Sequence, residues 1–484
     1  ARFSSDTRKP EFTITVAEEI KSVKVYPERY YPQEGLKVGA DKRTLTFTMS
    51  EAASLNSVIV MINGDATNKS GQPYLAIIND PLETGAPDPE AANVLDFKEF
   101  AAQYLQEHPN QEAQQAIPSG EVTIKLAEGT AAEASYQYTH SAGNLVDASS
   151  NNVRYPNQRK MSADDMSYAF QAALDKIYET EGLDTLYFPN GTYTYAGLEI
   201  RNRRGKDVNI YLEEGALLKN RIQACAEAME PAVGIWDSEN ITISGRGMFD
   251  GNGVENYYKQ NGKQSGDDND AFMSCHQAGV MVVRSENITF NDTYMRNAKQ
   301  WNWEAHSGKH IRLNNIKGLT PYPMSWGDGT DMASSQDLTI NGAFTLGNDD
   351  CFASGHYNPS RWFAPEKEDL FKKVHGLSSF KPEDNDANSA NFQAFSNAVA
   401  GFARYNADCD GWDIADTCQI SVKNTLQWSC EAGNGIRLGH EAHGYQMKDY
   451  TFENFNALGF AGGGHGITVQ NHTDIYPRYE TLKF

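Results

Sequence analysis

Four aspartates fall close together in WGDGTDMASSQDLTINGAFTLGNDDCFASG, residues 326–355: Asp328 and Asp331 at one end, the adjacent Asp349 and Asp350 at the other. Between them QDLTI (336–340) alternates apolar and polar residues as a short strand does, with Leu338 and Ile340 on one face. Asp328 and Asp349 are 21 residues apart. One coil of a parallel β-helix takes about that many residues, and neighbouring rungs lie roughly 5 Å apart. On that spacing the two carboxylates stack. Crowded carboxyls raise one another's pKa, so one keeps its proton near neutral pH while another is ionised. That division is what acid/base hydrolysis of a glycosidic bond requires. Asn-Asp-Asp and Asp-Gly-Thr-Asp are also common turn sequences, since their short polar side chains bond to nearby backbone. The elements around them decide between the two readings.

A repeat surrounds the aspartates. SENITISGRGMFDG (238–251), SENITFNDTYMRNA (285–298), GKHIRLNNIKGLT (308–320), QDLTINGAFTLGN (336–348), CQISVKNTLQWS (418–429) and KDYTFENFNALG (448–459) share one pattern. Each has a polar lead, an apolar-x-apolar strand, a polar turn and a second short strand. Ile288 to Ile311 is 23 residues and Ile311 to Leu338 is 27, while the 47 from Ile241 to Ile288 reads as two coils. Short strands at this period, with no helix between, fit a parallel β-helix. A leucine-rich repeat has a similar period, but its fixed Leu/Asn consensus is absent. Residues 352–417 then form a long insertion on one wall, and loops of that length on a rigid scaffold shape binding clefts.

Upstream, EFTITVA, KSVKVYPE, TLTFTMS, SVIVMING, YLAIIND and EVTIKLA alternate between Gly/Asn/Pro turns. They predict an N-terminal antiparallel β-sandwich domain over 1–140, interrupted by a helical stretch near 85–120. Residues 141–160 read as a linker and 161–484 as the β-helix, an all-β architecture overall. SADDMSYAFQAALDKIYETEG predicts a helix with Ser162 or Asp164 as N-cap. Placed before the first coil, it covers the solenoid's open apolar end.

The net charge is −22 and the pI about 4.9. Such a chain repels nucleic acid and anionic membranes, and no apolar run is long enough to span a bilayer. The six cysteines form no CxxC pair, which argues against a zinc or iron–sulfur site; no metal or other cofactor is expected. Cys409 and Cys418 are spaced to close a short disulfide loop, and Cys351 reads as a buried core residue. A mature N-terminus after cleavage is compatible with ARFSSDTRKP, and the protein is expected to be secreted, extracellular or periplasmic.

FPNGTY (188–193), IYLEEGALL (210–218), ITISGRGMFDG (241–251), Trp301 to His306, DGTD (328–331), GNDDC (347–351) and GNGIRLG (433–439) occur in an order that resembles the polygalacturonases, glycoside hydrolase family 28. The dextranases and isopullulanases of family 49 are the other family in view. The resemblance covers roughly residues 160 to 470. It implies a right-handed parallel β-helix and hydrolysis of an α-linked polysaccharide with inversion. By position, Asp349 resembles the general acid, and Asp328 and Asp350 the carboxylates that hold and deprotonate water. Asp331 is the alternative third carboxylate. Both members of the adjacent pair reach one cleft only if the chain bends there, and inversion asks for roughly 6.5–9.5 Å between acid and base.

Two departures bear on the substrate. The family's Gly-His-Gly is replaced by Gly433-Asn434-Gly435, and its Arg-Ile-Lys aligns with Gly466-Ile-Thr-Val-Gln470, which has no cation. A uronate carboxylate would then lie uncompensated among acids, so a neutral glucan such as dextran or pullulan is favoured over pectic galacturonan or a sulfated glycan. Candidate sugar-binding residues are Asp331, Trp326, Asn434, Arg437 and His440. Trp303 and His306 read as interior residues of the coil. HEAH (440–443) lacks the helical spacing of a zinc motif. A non-catalytic carbohydrate-binding β-helix is the competing class; it would have no reason to stack carboxylates.

Overall fold

The computed structural model describes residues 1–64, 74–108, 119–125, 133–139, 166–195, 198–201, 203–220, 231–236, 238–253, 278–283, 285–298, 301–306, 308–320, 327–333, 335–355, 417–429, 433–439, 446–459, 464–469 and 478–484. Most of them form a parallel β-helix with three strands to a coil. Trp303–His306, Lys309–Asn314 and Lys317–Leu319 make one coil, and Thr330–Ala333, Gln336–Asn341 and Phe344–Gly347 the next. The first strands stack into an eight-stranded sheet running from Leu198–Arg201 to Ile467–Val469. The second and third strands form two arms of one large sheet, joined where Thr417–Ser429 and Gln446–Gly459 run through both.

The repeat's apolar positions become columns. Ile241, Ile288, Ile311, Leu338 and Ile420 lie opposite one another on successive rungs and are fully buried. The polar residue just before each has positive φ: Asn240 at 58°, Asn287 at 53°, His310 at 55°, Asp337 at 51° and Gln419 at 59°. Asn and Asp tolerate that left-handed region better than most residues, which accounts for the polar lead of the repeat. Ile241 and Ile288 are direct partners. The 47 residues between them therefore make one coil with an insertion rather than two coils; spacing alone could not separate a skipped rung from a long loop.

Ser167–Glu179 is the expected helix, with Ala169, Phe170, Ala173, Leu174 and Ile177 buried against the first coils. Met166 is its N-cap and makes no side-chain cap bond; the expected caps Ser162 and Asp164 lie outside the described residues. A second helix, Phe97–Glu107, shares the capping role. Asp96 accepts a hydrogen bond from the Glu99 N–H at its start, and Val94–Asp96 pairs in parallel with Thr185–Tyr187. This strand and helix belong with the coil, although they lie inside the segment expected to be sandwich. Ser119–Lys125 likewise pairs only with Glu133–Thr139 among the described residues and joins neither sandwich sheet.

The sandwich consists of Arg2–Ser5, Tyr74–Pro81, Ser57–Ile62 and Val23–Tyr26 in one sheet and Glu11–Thr15, Thr44–Thr48 and Lys37–Val38 in the other. Pairing is antiparallel as expected, except that Arg2–Ser5 lies parallel to Tyr74–Pro81. Strand alternation gives the four-stranded sheet two apolar faces. Val25, Val58, Val60 and Ile77 pack against Leu45 and Phe47 of the smaller sheet. Tyr26, Ile59, Met61 and Ile78 face the other way, onto Tyr294, Phe344, Leu346, Leu426 and Trp428 of the coil. Within that seam Lys317 is wholly buried, its Nζ 2.6 Å from Asp80 Oδ1, while Arg2 Nε donates to Asp80 Oδ2 at 2.8 Å.

Candidate active site

The aspartates lie in the turns that lead into the eight-stranded sheet. Asp328 precedes Thr330–Ala333, and Asp349 and Asp350 precede Phe352–Ser354. Thr330 stands opposite Phe352, and the Gly329 N–H donates to the Asp350 carbonyl. The coil here is therefore 22 residues long, and Asp328 stacks with Asp350 rather than with Asp349, as its 21-residue spacing predicted. Neither Asp349 nor Asp350 belongs to a strand, so alternation does not send them to opposite faces. Asp328, Asp349 and Asp350 each place one carboxylate oxygen within 4.8 Å of the other two.

Backbone and side-chain donors fix this cluster. The Asn302 N–H and Nδ2 donate to the Asp328 carbonyl at 3.0 and 2.9 Å, and Thr320 Oγ1 donates to Asn302 Oδ1 at 2.9 Å. The Asp350 N–H donates to Asp328 Oδ1 at 3.1 Å. Asp350 Oδ1 accepts from the Asn434 N–H at 2.6 Å and from Asn434 Nδ2 at 2.8 Å, and its Oδ2 accepts from Arg437 Nη1 at 3.1 Å. Asn434 Oδ1 in turn accepts from Thr468 Oγ1 at 2.7 Å and from the His465 N–H at 3.1 Å. Gly433 lets this turn lie against the aspartates: its φ is +98°, and a Cβ there would come within 2.3 Å of the Asp349 carbonyl carbon.

Burial and mutual repulsion govern the charges. Asp328, Asp331 and Asp350 are buried, and Asp349 is half-buried. Burial, followed by the charges of Asp331, Asp349 and Asp350, pushes the Asp328 carboxyl well above the usual carboxylate range. Asp331 is pushed the same way by burial and then by Glu304. The two carboxyls also act directly on each other. Neither Asp331 oxygen has a hydrogen-bond donor among the described residues, and the two carboxyls titrate as a unit. Three converging carboxylates are also a cation's ligand set. Here both oxygens of Asp350 are already bonded to N–H donors, one from a guanidinium, so the donor set fits a metal poorly.

A stability prediction follows from these shifts. Folded-state pKa values raised above 3.8 mean that the folded chain holds protons the unfolded chain has released. Stability is then greatest in acid and falls as pH rises through the folded values. Asp331→Asn removes that burden, and a stabilisation of about 0.5–2 kcal/mol at pH 8 is expected, the usual scale for relieving one unfavourable site. Urea midpoints across pH 5–9 measure it; an unchanged midpoint and slope in the variant would contradict these charge assignments.

Of the expected site residues, Asp328, Asp331, Asp349, Asp350, Asn434 and Arg437 come together in one corner. Arg437 is ion-paired with Asp350 itself rather than held out for a sugar. Trp326 and His440 lie outside the described residues, as do Cys409 and most of the 352–417 insertion. Cys351 is buried as expected, and Trp303 packs in the coil core. His306 is buried too, but beside Glu304 on the strand face opposite Trp303 and Ala305, not in the coil interior. Asn302, Glu304 and His465 were not anticipated. Their signals were an Asn before WEAH, two titratable residues at strand spacing within WEAH, and a Gly464-His465-Gly466 one coil beyond Asn434.

Residues 183–378 match the family model of the glycosyl hydrolases, family 28. Fold and match together define the class: the chain is a glycoside hydrolase built on a parallel β-helix, similar to family 28 over the matched residues. No curated protein matches. Among solved structures the chain is similar to the family 28 exopolygalacturonase of Yersinia enterocolitica, at 12% identity and TM-score 0.38 over 88% of this chain and 83% of that one. It is also similar to the polygalacturonase of Erwinia carotovora ssp. carotovora, at 13% and 0.37 over 65% and 82%. The endo-xylogalacturonan hydrolase of Aspergillus tubingensis aligns at 12% and 0.37 over 64% and 75%. Scores under 0.5 say nothing about the site.

Proposed function

We propose that the chain hydrolyses an α-linked polysaccharide by general acid/base catalysis at Asp349 and Asp350. The observation that carries this reading is the convergence of three carboxylate oxygens within 4.8 Å at one corner of the coil. Asp350 is the base: three N–H bonds hold it as an acceptor. Asp349, less buried than its partners, is the acid that meets the glycosidic oxygen. With these oxygens within 4.8 Å of one another, one water can bond to two of them at about 2.8 Å each. As it attacks the anomeric carbon, its proton passes to Asp350, the bond to the leaving oxygen breaks, and Asp349 gives that oxygen a proton. Asp328, which burial and its acidic neighbours keep from giving up a proton readily, braces Asp350 by accepting its N–H.

A neutral glucan suits the cluster better than a uronan. Glu304, Asp331 and the trio stand together, and the guanidinium of Arg437 is already bonded to Asp350. Thr468 rather than a cation occupies the rung next to Arg437. A polymer of this kind is met outside the cell, where we place the enzyme; among the described residues no helix is long and apolar enough to cross a membrane. Reducing-end release from dextran, pullulan, polygalacturonate and a sulfated algal glycan tests the assignment. Cleavage of a neutral glucan is expected, with polygalacturonate at least tenfold slower. Preference for polygalacturonate would overturn the choice of sugar and leave the carboxylate chemistry standing.

A further inference from the structure

The eight-stranded sheet carries a second titratable group one rung from the aspartates. Glu304 is the register partner of Asp331, and His306 that of Ala333. Both lie on the face opposite Trp303 and Ala305, which belong to the coil core. They are 3% and 0% exposed, and His306 Nε2 is bonded to Glu304 Oε1. The rungs just before them hold Gly234 and Met281 in one column and Trp236 and Val283 in the other, while Glu199 and Arg201 pair with each other on the first rung and Asp331, Arg437 and Thr468 lie further along the Glu304 column. Packing against the preceding rungs therefore does not ask for a carboxyl or an imidazole here. Burying both is costly unless they are paired, and this pair falls at the rung that touches Asp331.

We propose that Glu304, oriented by His306, is a positioning residue that sets how tightly the Asp328–Asp331 pair holds its proton, and thereby the charge the trio presents to substrate. This rests on the acid/base reading of that site. Among the described residues, Met281 faces Glu304 from the preceding rung and Asp331 from the next. Asp331 also meets Asp328 on its own turn and the charges of Asp349 and Asp350 from the following coil. Arg437 is one rung further along, beyond Ala353, and is bonded to Asp350. The negative charge of Glu304 acts to keep a proton on the Asp328–Asp331 pair; removing it lets that proton leave at lower pH.

Glu304→Gln keeps size and hydrogen bonding while removing the charge. The alkaline limb of its kcat/KM–pH profile, measured on whichever glycan wild type cleaves, is expected to move down by about one pH unit. The pH range over which the urea midpoint declines should move with it, a readout that needs no substrate. Glu304→Asp, which keeps the charge, should retain the wild-type limb. A folded Glu304→Gln whose two profiles superimpose on wild type would overturn the proposal. If the amide variant does not fold, a uniform loss of activity at every pH in Glu304→Asp would overturn it equally, since a purely structural role predicts that result. Full activity of Asp349→Asn would instead defeat the acid/base reading, so the two failures are distinguishable.

Discussion

Asp349→Asn will lower kcat/KM by about 10²–10⁴-fold, the range for losing a positioned general acid, with little change in the urea midpoint. The amide fills the same volume and cannot give a proton to the leaving oxygen. Stability should hold because Asp349 is the least buried of the trio. The loss should concentrate in kcat, and a substrate with a good leaving group, such as an aryl glycoside, should recover much of the rate because it needs no proton. A large rise in KM with unchanged kcat would make Asp349 a binding residue instead.

The other large effect lies far from the site, in the seam between sandwich and coil. Lys317→Met should cost about 3 kcal/mol, the low end for breaking a buried ion pair, because Arg2 still bonds the Asp80 carboxylate. Burial lowers the Lys317 pKa to about 8, and Asp80 is what keeps it charged below that. Burial pushes the Asp80 carboxyl up, yet Lys317 and then Arg2 outweigh it and hold it below the usual carboxylate range. A depressed folded pKa gives stability that is present above the unfolded value and lost as pH falls through the folded one. Both groups therefore favour the folded state less as pH falls through their own ranges. Lys317→Met/Asp80→Asn should recover part of the loss, with a coupling of about 1–3 kcal/mol in a urea double-mutant cycle. Additive single effects would mean that the two residues do not act on each other.

The coil was legible because its columns follow from local rules. An apolar residue preceded by a left-handed polar one recurs on each rung, and Asn287-Ile288 and Asp337-Leu338 carry that signal in sequence. The aspartate corner was legible as a cluster, but its register was not. One residue in the turn before Phe352 moves the partner of Asp328 from Asp349 to Asp350, and turn length leaves no trace in periodicity. Glu304 escaped notice because its neighbour Asp331 is 27 residues away, so only the ladder brings them together. The sandwich's second apolar face was hidden in SVIVMI for a related reason. A strand buried on both sides shows no alternation to read.

Following the hydrolysis of a cleaved α-glucan by ¹H NMR in the first minutes tests the central claim most directly. The account predicts β-configured reducing ends first, followed by slow mutarotation, and no anomeric signal from Asp350→Asn. Single displacement inverts the α-linkage, and Asp350 is the base that it requires. The trio's separation of 4.8 Å or less is shorter than the roughly 6.5–9.5 Å usual for inversion, which makes this outcome informative. An α-anomer formed first would mean that one aspartate attacks carbon itself, and an active Asp350→Asn would remove the trio from the chemistry.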